Sequence, residues 1–207
     1  MASPRTLNGC SSLTALDSLS GLPLHSLHLY RPGRALSLAP LGDMPDLRHL
    51  TYDFAAAETS LADLPFAAQL SGIGFFGGAA VTELSGLEAL TSLSWLTVNE
   101  EHQWRSLLAA GVFSPLRTLQ ILDVPRVDLA ELTGRQDLVE VYLGTVRHVD
   151  NLAALTELPA LRLVRFLRCG PVDLAPLAAI AHVHVKLRDC PEVLGTDLFP
   201  PDRLTVE

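Results

Sequence analysis

Lysine occurs once in this chain of 207 residues, at Lys186, and asparagine three times, at Asn8, Asn99 and Asn151. No Walker-type lysine phrase, G-x-S-x-G elbow, H-E-x-x-H or C-x-x-C is present, so no recognised catalytic or metal-holding motif is written in the chain. The expectation is a protein that is not an enzyme and carries no cofactor and no metal. None of the asparagines opens an Asn-x-Ser/Thr sequon, and three cysteines cannot all pair within the chain. No run of 18 apolar residues occurs, and MASPRTLNGCSSL lacks a signal-peptide core. A cytoplasmic protein without a membrane partner is expected. Fifteen basic against 23 acidic residues give a net charge of −8, which disfavours nucleic acid, since that association rests on neutralising phosphates.

Leucine is what the chain has instead, 42 residues of it. In LSGLEALTSLSWLTV, Leu84, Leu87, Leu90, Leu93 and Leu96 recur every third residue before Val98 shortens the step to two. A period of three fits a 3₁₀ turn and a period of two fits a strand. Written as L-x-x-L-x-L, the strand phrase recurs at Leu24/Leu27/Leu29, Leu47/Leu50/Tyr52, Leu70/Ile73/Phe75, Leu93/Leu96/Val98, Leu116/Leu119/Ile121, Leu138/Val141/Leu143 and Leu161/Val164/Phe166. Successive first leucines stand 23, 23, 23, 23, 22 and 23 residues apart. Degenerate copies continue through Leu7, Val185/Leu187 and Leu204/Val206. Register also places Leu13, Leu16, Leu38, Leu61, Val81, Leu84, Trp104, Leu107, Val127, Leu129, Val149, Leu152, Val172, Leu174 and Val193 in the core.

The phrase resembles the leucine-rich repeat family, in its short bacterial, internalin-like class. That resemblance implies an α/β fold: a right-handed solenoid with a parallel β-sheet on the concave face and short 3₁₀ or helical turns on the convex face. One coil cannot bury its leucines alone, whereas stacked coils can. A single domain over residues 1–207, of about nine repeats, is expected. The family's asparagine or cysteine slot falls on Cys10, Cys169 and Cys190 and otherwise on Pro32, Ala55, Gly78, Glu101, Val124 and Val146. The three thiols are expected to be buried and inert, and loops lacking the asparagine ladder are expected to be less regular. The Arg- and Ala-rich usage also resembles that of high-GC bacteria, where similar arrays serve as sensor regions of NACHT-type NTPases.

No cap helix precedes Leu7, and DLFPPDRLTVE finishes on a strand phrase. Uncapped solenoid ends expose leucines and strand edges. Two expectations stand side by side: a downstream part of a longer protein, and a structural solenoid that associates with itself through its ends.

Strand alternation sends the residues between core positions to the open face. Tyr30, His49, Asp53, Phe76, Trp95, Asn99, Gln120, Tyr142, Arg165, His184, Lys186 and Arg188 are the candidate partner-binding residues. Buried aromatics and Arg anchor interfaces, and cross-strand packing of the same rings is the alternative. The partner is expected to be a protein. His182 and His184 form an H-x-H pair on a strand face, but Lys186 and Arg188 beside them repel a cation. Arg165, His184, Lys186 and Arg188 either meet an anionic group or are neutralised by Glu140 and Asp189. Gly72, Gly74, Gly77 and Gly78 do not follow phosphate-loop spacing and are read as a tight bend between coils.

Overall fold

The computed structural model of the chain describes residues 6–8, 14–30, 36–53, 62, 64, 66–76, 84, 86–87, 90–110 and 115–207. Leu13, Leu61, Val81, Cys10, Gly77 and Gly78 lie outside the described residues. The chain divides into two compact units, Met1–Val98 with His102–Val112, and Asn99–Glu101 with Phe113–Glu207.

In the first unit the strands are β1 (Thr6–Asn8), β2 (Ser26–Leu29), β3 (His49–Tyr52), β4 (Gly72–Phe75) and β5 (Trp95–Asn99), whose last residue groups with the second unit. Each pairs in parallel with the next, and the register sets like on like: Leu27 against Leu50, Leu50 against Ile73, Ile73 against Leu96. Helix α1 (Glu101–Ala110) follows β5.

The second unit adds β6 (Thr118–Leu122), β7 (Arg126–Asp128), β8 (Glu140–Gly144), β9 (His148–Asp150), β10 (Leu163–Leu167), β11 (Val172–Asp173), helix α2 (Ala175–Ala178), β12 (His184–Arg188), β13 (Val193–Leu194) and β14 (Leu204–Val206). Strands β6, β8, β10, β12 and β14 pair in parallel, with Leu119, Val141, Val164, Val185 and Leu204 in one row. Two small parallel pairs, β7 with β9 and β11 with β13, run behind that sheet in sequence.

All core positions of the seven strand phrases are buried, whereas Val149 and Val193, which the same register sends inward, are only half-buried, each on a short peripheral strand. The turn residues at period three are buried as well, Leu38, Leu41, Met44 and Leu47 in one coil and Leu152, Leu155, Leu158 and Leu161 in another. The turns that carry them are 3₁₀, at Ala39–Asp43 and Leu152–Glu157, where residues i and i+3 eclipse and so share one face. Each fully buried leucine contributes about 1.5–3 kcal/mol relative to exposure.

Trp104 occupies its core slot with 2% exposure, but it does so from a ten-residue helix that the repeat period does not announce. Glu101, at the family's asparagine slot, opens that helix and is exposed. Val124, Val146 and Cys169 fill the same slot with buried side chains, the Cys169 thiol donating to the Leu143 carbonyl at 3.4 Å. Burial pushes that thiol up to about 11, so it stays protonated and inert. Cys190 departs from the expectation: it is half-buried, bordering a cavity of about 520 Å³ with Leu187, Val193 and Val206.

A turn that the sequence reading missed closes the second unit's strands. Asp123, Thr145, Arg168 and Asp189, each directly after a strand, have φ between 50° and 57°. The first three donate their backbone N–H to the last carbonyl of the next strand, Gly144, Leu167 and Arg188 respectively. Left-handed backbone costs a non-glycine residue roughly 1–2 kcal/mol, and the N–H bond to the adjacent coil offsets it. Directly before the 3₁₀ turn Leu129–Leu132, Asp128 accepts from the backbone N–H of Ala130 and caps that turn; two residues before α2, Asp173 accepts from the N–H of Ala175.

Truncation should therefore separate the ladder from the periphery. Leu143→Ala, inside the β8 row at 0% exposure, is expected to lose about 2–5 kcal/mol of unfolding free energy. Leu194→Ala, at 69% exposure, is expected to change it by no more than about 0.5 kcal/mol. Denaturant titration of both variants checks this, and equal losses would contradict the burial ladder.

Candidate functional site

On the first unit, the outward residues of four adjacent strands meet in rows. One row is Ser26, His49, Gly72 and Trp95; the next is His28, Thr51, Gly74 and Thr97. Gly72 and Gly74 are strand residues of β4, not the bend expected of them. Their missing side chains make room for rings: a Cβ on Gly72 would stand 2.5 Å from His49 Cδ2 and 2.8 Å from Trp95 Cε3. A Cβ on Gly74 would stand 2.9 Å from Trp95 Cη2. The indole therefore lies along β4, over a floor of two glycines.

His49 reaches the same floor from the other side, its ring centroid 6.5 Å from that of Trp95. Its Nε2 is 3.4 Å from the Ser71 hydroxyl. His28 stacks on Tyr30 at 6.5 Å with planes 5° apart, and its Nδ1 is 2.5 Å from Thr51 Oγ1. Tyr30 meets Phe76 edge to face at 6.1 Å, within the range of favourable aromatic pairs. Asp53, half-buried, follows β3 between the strands that end in those two rings.

Three small or polar outward positions are buried, contrary to plain alternation: Thr51, Thr97 and Asn99 at 2%, 0% and 6% exposure. The rings cover the first two. Asn99, expected on the binding face, instead donates from Nδ2 to Asp123 Oδ2 at 3.0 Å, tying the end of β5 to the left-handed turn after β6. It is withdrawn from the face.

On the second unit, one row runs Gln120, Tyr142, Arg165, Lys186 and Thr205 across β6, β8, β10, β12 and β14. The neighbouring rows carry Glu140, Leu163 and His184, and Gly144, Leu167 and Arg188. Gln120, Tyr142 and Arg165 are half-buried, while His184, Lys186 and Arg188 are exposed. Glu140 Oε1 holds Arg165 Nε at 2.9 Å. Asp189, the other acid considered, pairs with Arg168 at 3.5 Å. Burial raises the Tyr142 hydroxyl, with the charges of Arg165, Arg188 and Arg168 opposing. His182 sits in the turn before β12, not on its face, so the H-x-H pair does not share a strand surface.

The candidates thus fall into two groups. Tyr30, His49, Asp53, Phe76 and Trp95 gather on the first unit, and Gln120, Tyr142, Arg165, His184, Lys186 and Arg188 on the second. Strand alternation also sends His28, Gly72 and Gly74 outward, but it does not by itself single them out among the partner-binding candidates. The phase of G-x-G with the strand positions, between His49 and Trp95 in register, is the signal that finds them.

No protein-family model matches the chain, and no curated protein matches it. Among solved structures, it is similar to an internalin, inlF, from Listeria monocytogenes, at 18% identity and a TM-score of 0.53, over 93% of this chain and 59% of the internalin. A second, internalin C2 of the same organism, aligns at 16% identity and a TM-score of 0.45, over 98% of this chain and 80% of its own. The chain therefore spans about 59% of the length of inlF. The first likeness shows the fold: a leucine-rich-repeat solenoid built on a parallel sheet with short 3₁₀ and helical turns.

Burial lowers both His28 and His49 from the ordinary 6.5, and the His28 charge adds to the effect on His49. A folded pKa below the unfolded one means the unfolded chain takes up protons first. Stability is then full above pH 6.5 and falls as pH drops through 6.5 toward the folded values. Asp128, also lowered, acts only below its ordinary 3.8, so the windows are distinct. Imidazole titrations followed by NMR are expected to give midpoints below 6.5 for both residues; a midpoint at or above that value for either would contradict this account.

Proposed function

We propose that this chain is a protein-recognition module whose partner docks on the open face of the sheet, with Tyr30, His49, Phe76 and Trp95 of the first unit as anchors. The observation that carries the reading is the Trp95 indole laid on the Gly72 and Gly74 floor, half-exposed and braced by His49. The core does not need these rings, since it is filled from the opposite side of the same strands. A rigid aromatic surface loses little side-chain entropy on binding, which is why tyrosine and tryptophan dominate interface energetics. Lowered imidazole pKa values keep His28 and His49 neutral near pH 7 and reduce the desolvation cost of covering these two rings.

Two hydroxyl–imidazole contacts stand here among the described residues, Ser71 with His49 and Thr51 with His28, and the closer, Thr51 with His28, has the residue types of a nucleophile and its base. Thr51 is 2% exposed, so the contact orients the His28 ring and does not offer a hydroxyl to substrate. That favours binding over catalysis. The reading places the protein in a reducing cytoplasm, which suits the free buried thiol of Cys169.

Capture of partners from the host lysate, followed by affinity measurement with the purified partner, tests the proposal. Tyr30→Ala with Trp95→Ala is expected to cost about 2 kcal/mol or more, roughly 30-fold in affinity, with the melting transition retained. A folded double variant that binds its partner unchanged would sink it. A second reading, association with another copy, is favoured by the exposed Leu194, Leu198 and Val206, at 69%, 53% and 69%. A monomeric mass by light scattering at micromolar concentration removes it.

A further inference from the structure

We infer that the second unit carries a separate site for carboxylate groups, and that the segment it takes is an acidic peptide. A cavity of about 180 Å³ opens over β10 and β12, between Tyr142, Arg165, Lys186, Arg188 and Glu207. Register explains the convergence. Tyr142, Arg165 and Lys186 are direct neighbours in one row, about 4.8 Å from strand to strand. Arg188 stands two residues along β12 from Lys186, on the same face, about 6.8 Å away.

Charge and exposure then set the ligand class. Lys186 and Arg188 are exposed, and neither has an acidic group within 4 Å among the described residues. Arg165 is ion-paired with Glu140, which leaves Lys186 and Arg188 as the cations free to meet a ligand. Glu207 borders the cavity and lowers its net positive charge without cancelling it. The setting is a chain of net charge −8 whose only lysine stands here, so the basic patch is local.

A local patch of this size fits side-chain carboxylates at the spacing of an extended peptide. A nucleic acid presents phosphates in a long continuous track, and the acidic remainder of the chain would repel it. Arginine and lysine both donate charge-assisted hydrogen bonds to carboxylates, and Tyr142, which lines the cavity and whose hydroxyl pKa burial raises, supplies a neutral donor. The acidic segment deepens the sheet-face reading by naming the chemistry of a partner's second contact.

The test uses a fluorescein-labelled hexaglutamate peptide and anisotropy at low ionic strength, because exposed charges are screened by salt. The intact chain is compared with Lys186→Glu/Arg188→Glu and with Arg117→Glu/Arg147→Glu, a control of equal charge change at exposed residues that do not line the cavity. The cavity variant is expected to lose about tenfold or more in affinity and the control less than about threefold. The neutral pair Lys186→Gln/Arg188→Gln, with an unchanged melting curve, is expected to fall between them. No binding by the intact chain, or equal loss in cavity and control variants, overturns the site. Inorganic phosphate or a mixed-sequence single-stranded oligonucleotide competing better than free hexaglutamate overturns the acidic-peptide assignment. Tyr30→Ala with Trp95→Ala should leave the peptide affinity intact, so this site and the aromatic face stand or fall separately.

Discussion

The stacking of like residues in register governs everything else in both units. A strand of four or five residues with two inward apolar side chains has no core of its own. It acquires one because Leu50 lies on Leu27 and is covered by Ile73, and because Val141 lies between Leu119 and Val164 in the same way. The near-constant repeat length makes this possible: a slip of one residue would turn every leucine of that strand toward the open face. Shape changes within the row are accommodated by local pairing, as where Tyr52 meets Phe75 edge to face at 5.6 Å.

Continuous stacking requires each coil to reverse direction at the same place, and in the second unit that is done at the expense of backbone strain. Residues of quite different kinds, Asp123, Thr145, Arg168 and Asp189, occupy the left-handed region at equivalent positions. The shared requirement is therefore imposed by the neighbouring coil, whose carbonyl receives the N–H of the first three, and not by local preference. Threonine is a poor choice on intrinsic grounds, which shows tertiary hydrogen bonding overriding propensity.

With the inward side committed to burial, chemistry is confined to the outward side, and the two units use it differently. The first covers a floor of glycine and threonine with rings and neutral imidazoles. Small residues there are as necessary as large ones, because a single Cβ on Gly72 would collide with both His49 and Trp95. The second keeps long cationic side chains above valine, phenylalanine and leucine of the row beneath, with Glu140 holding only Arg165. The proposed aromatic docking face and the proposed carboxylate site make separate demands on desolvation, and they involve separate groups of residues.

Leucine spacing determined the strand register and the core of the strand phrases, down to the placement of Trp104, and carried the resemblance that implied the fold class, because burial in a repeat is a periodic property and period is linear information. It also nominated the outward rings and cations. The sequence reading failed where a position's fate depends on what lies beside it. Asn99 was counted as a surface group until Asp123 drew it inward; Gly72 and Gly74 passed for a bend until the neighbouring rings gave them a purpose; Cys190 and Cys169 share a slot but not an environment. Helix α1 and the left-handed turns leave no repeat signature at all, since each is fixed by packing or hydrogen bonds across coils. Periodicity tells which way a side chain points, and only the folded neighbours decide what it meets there.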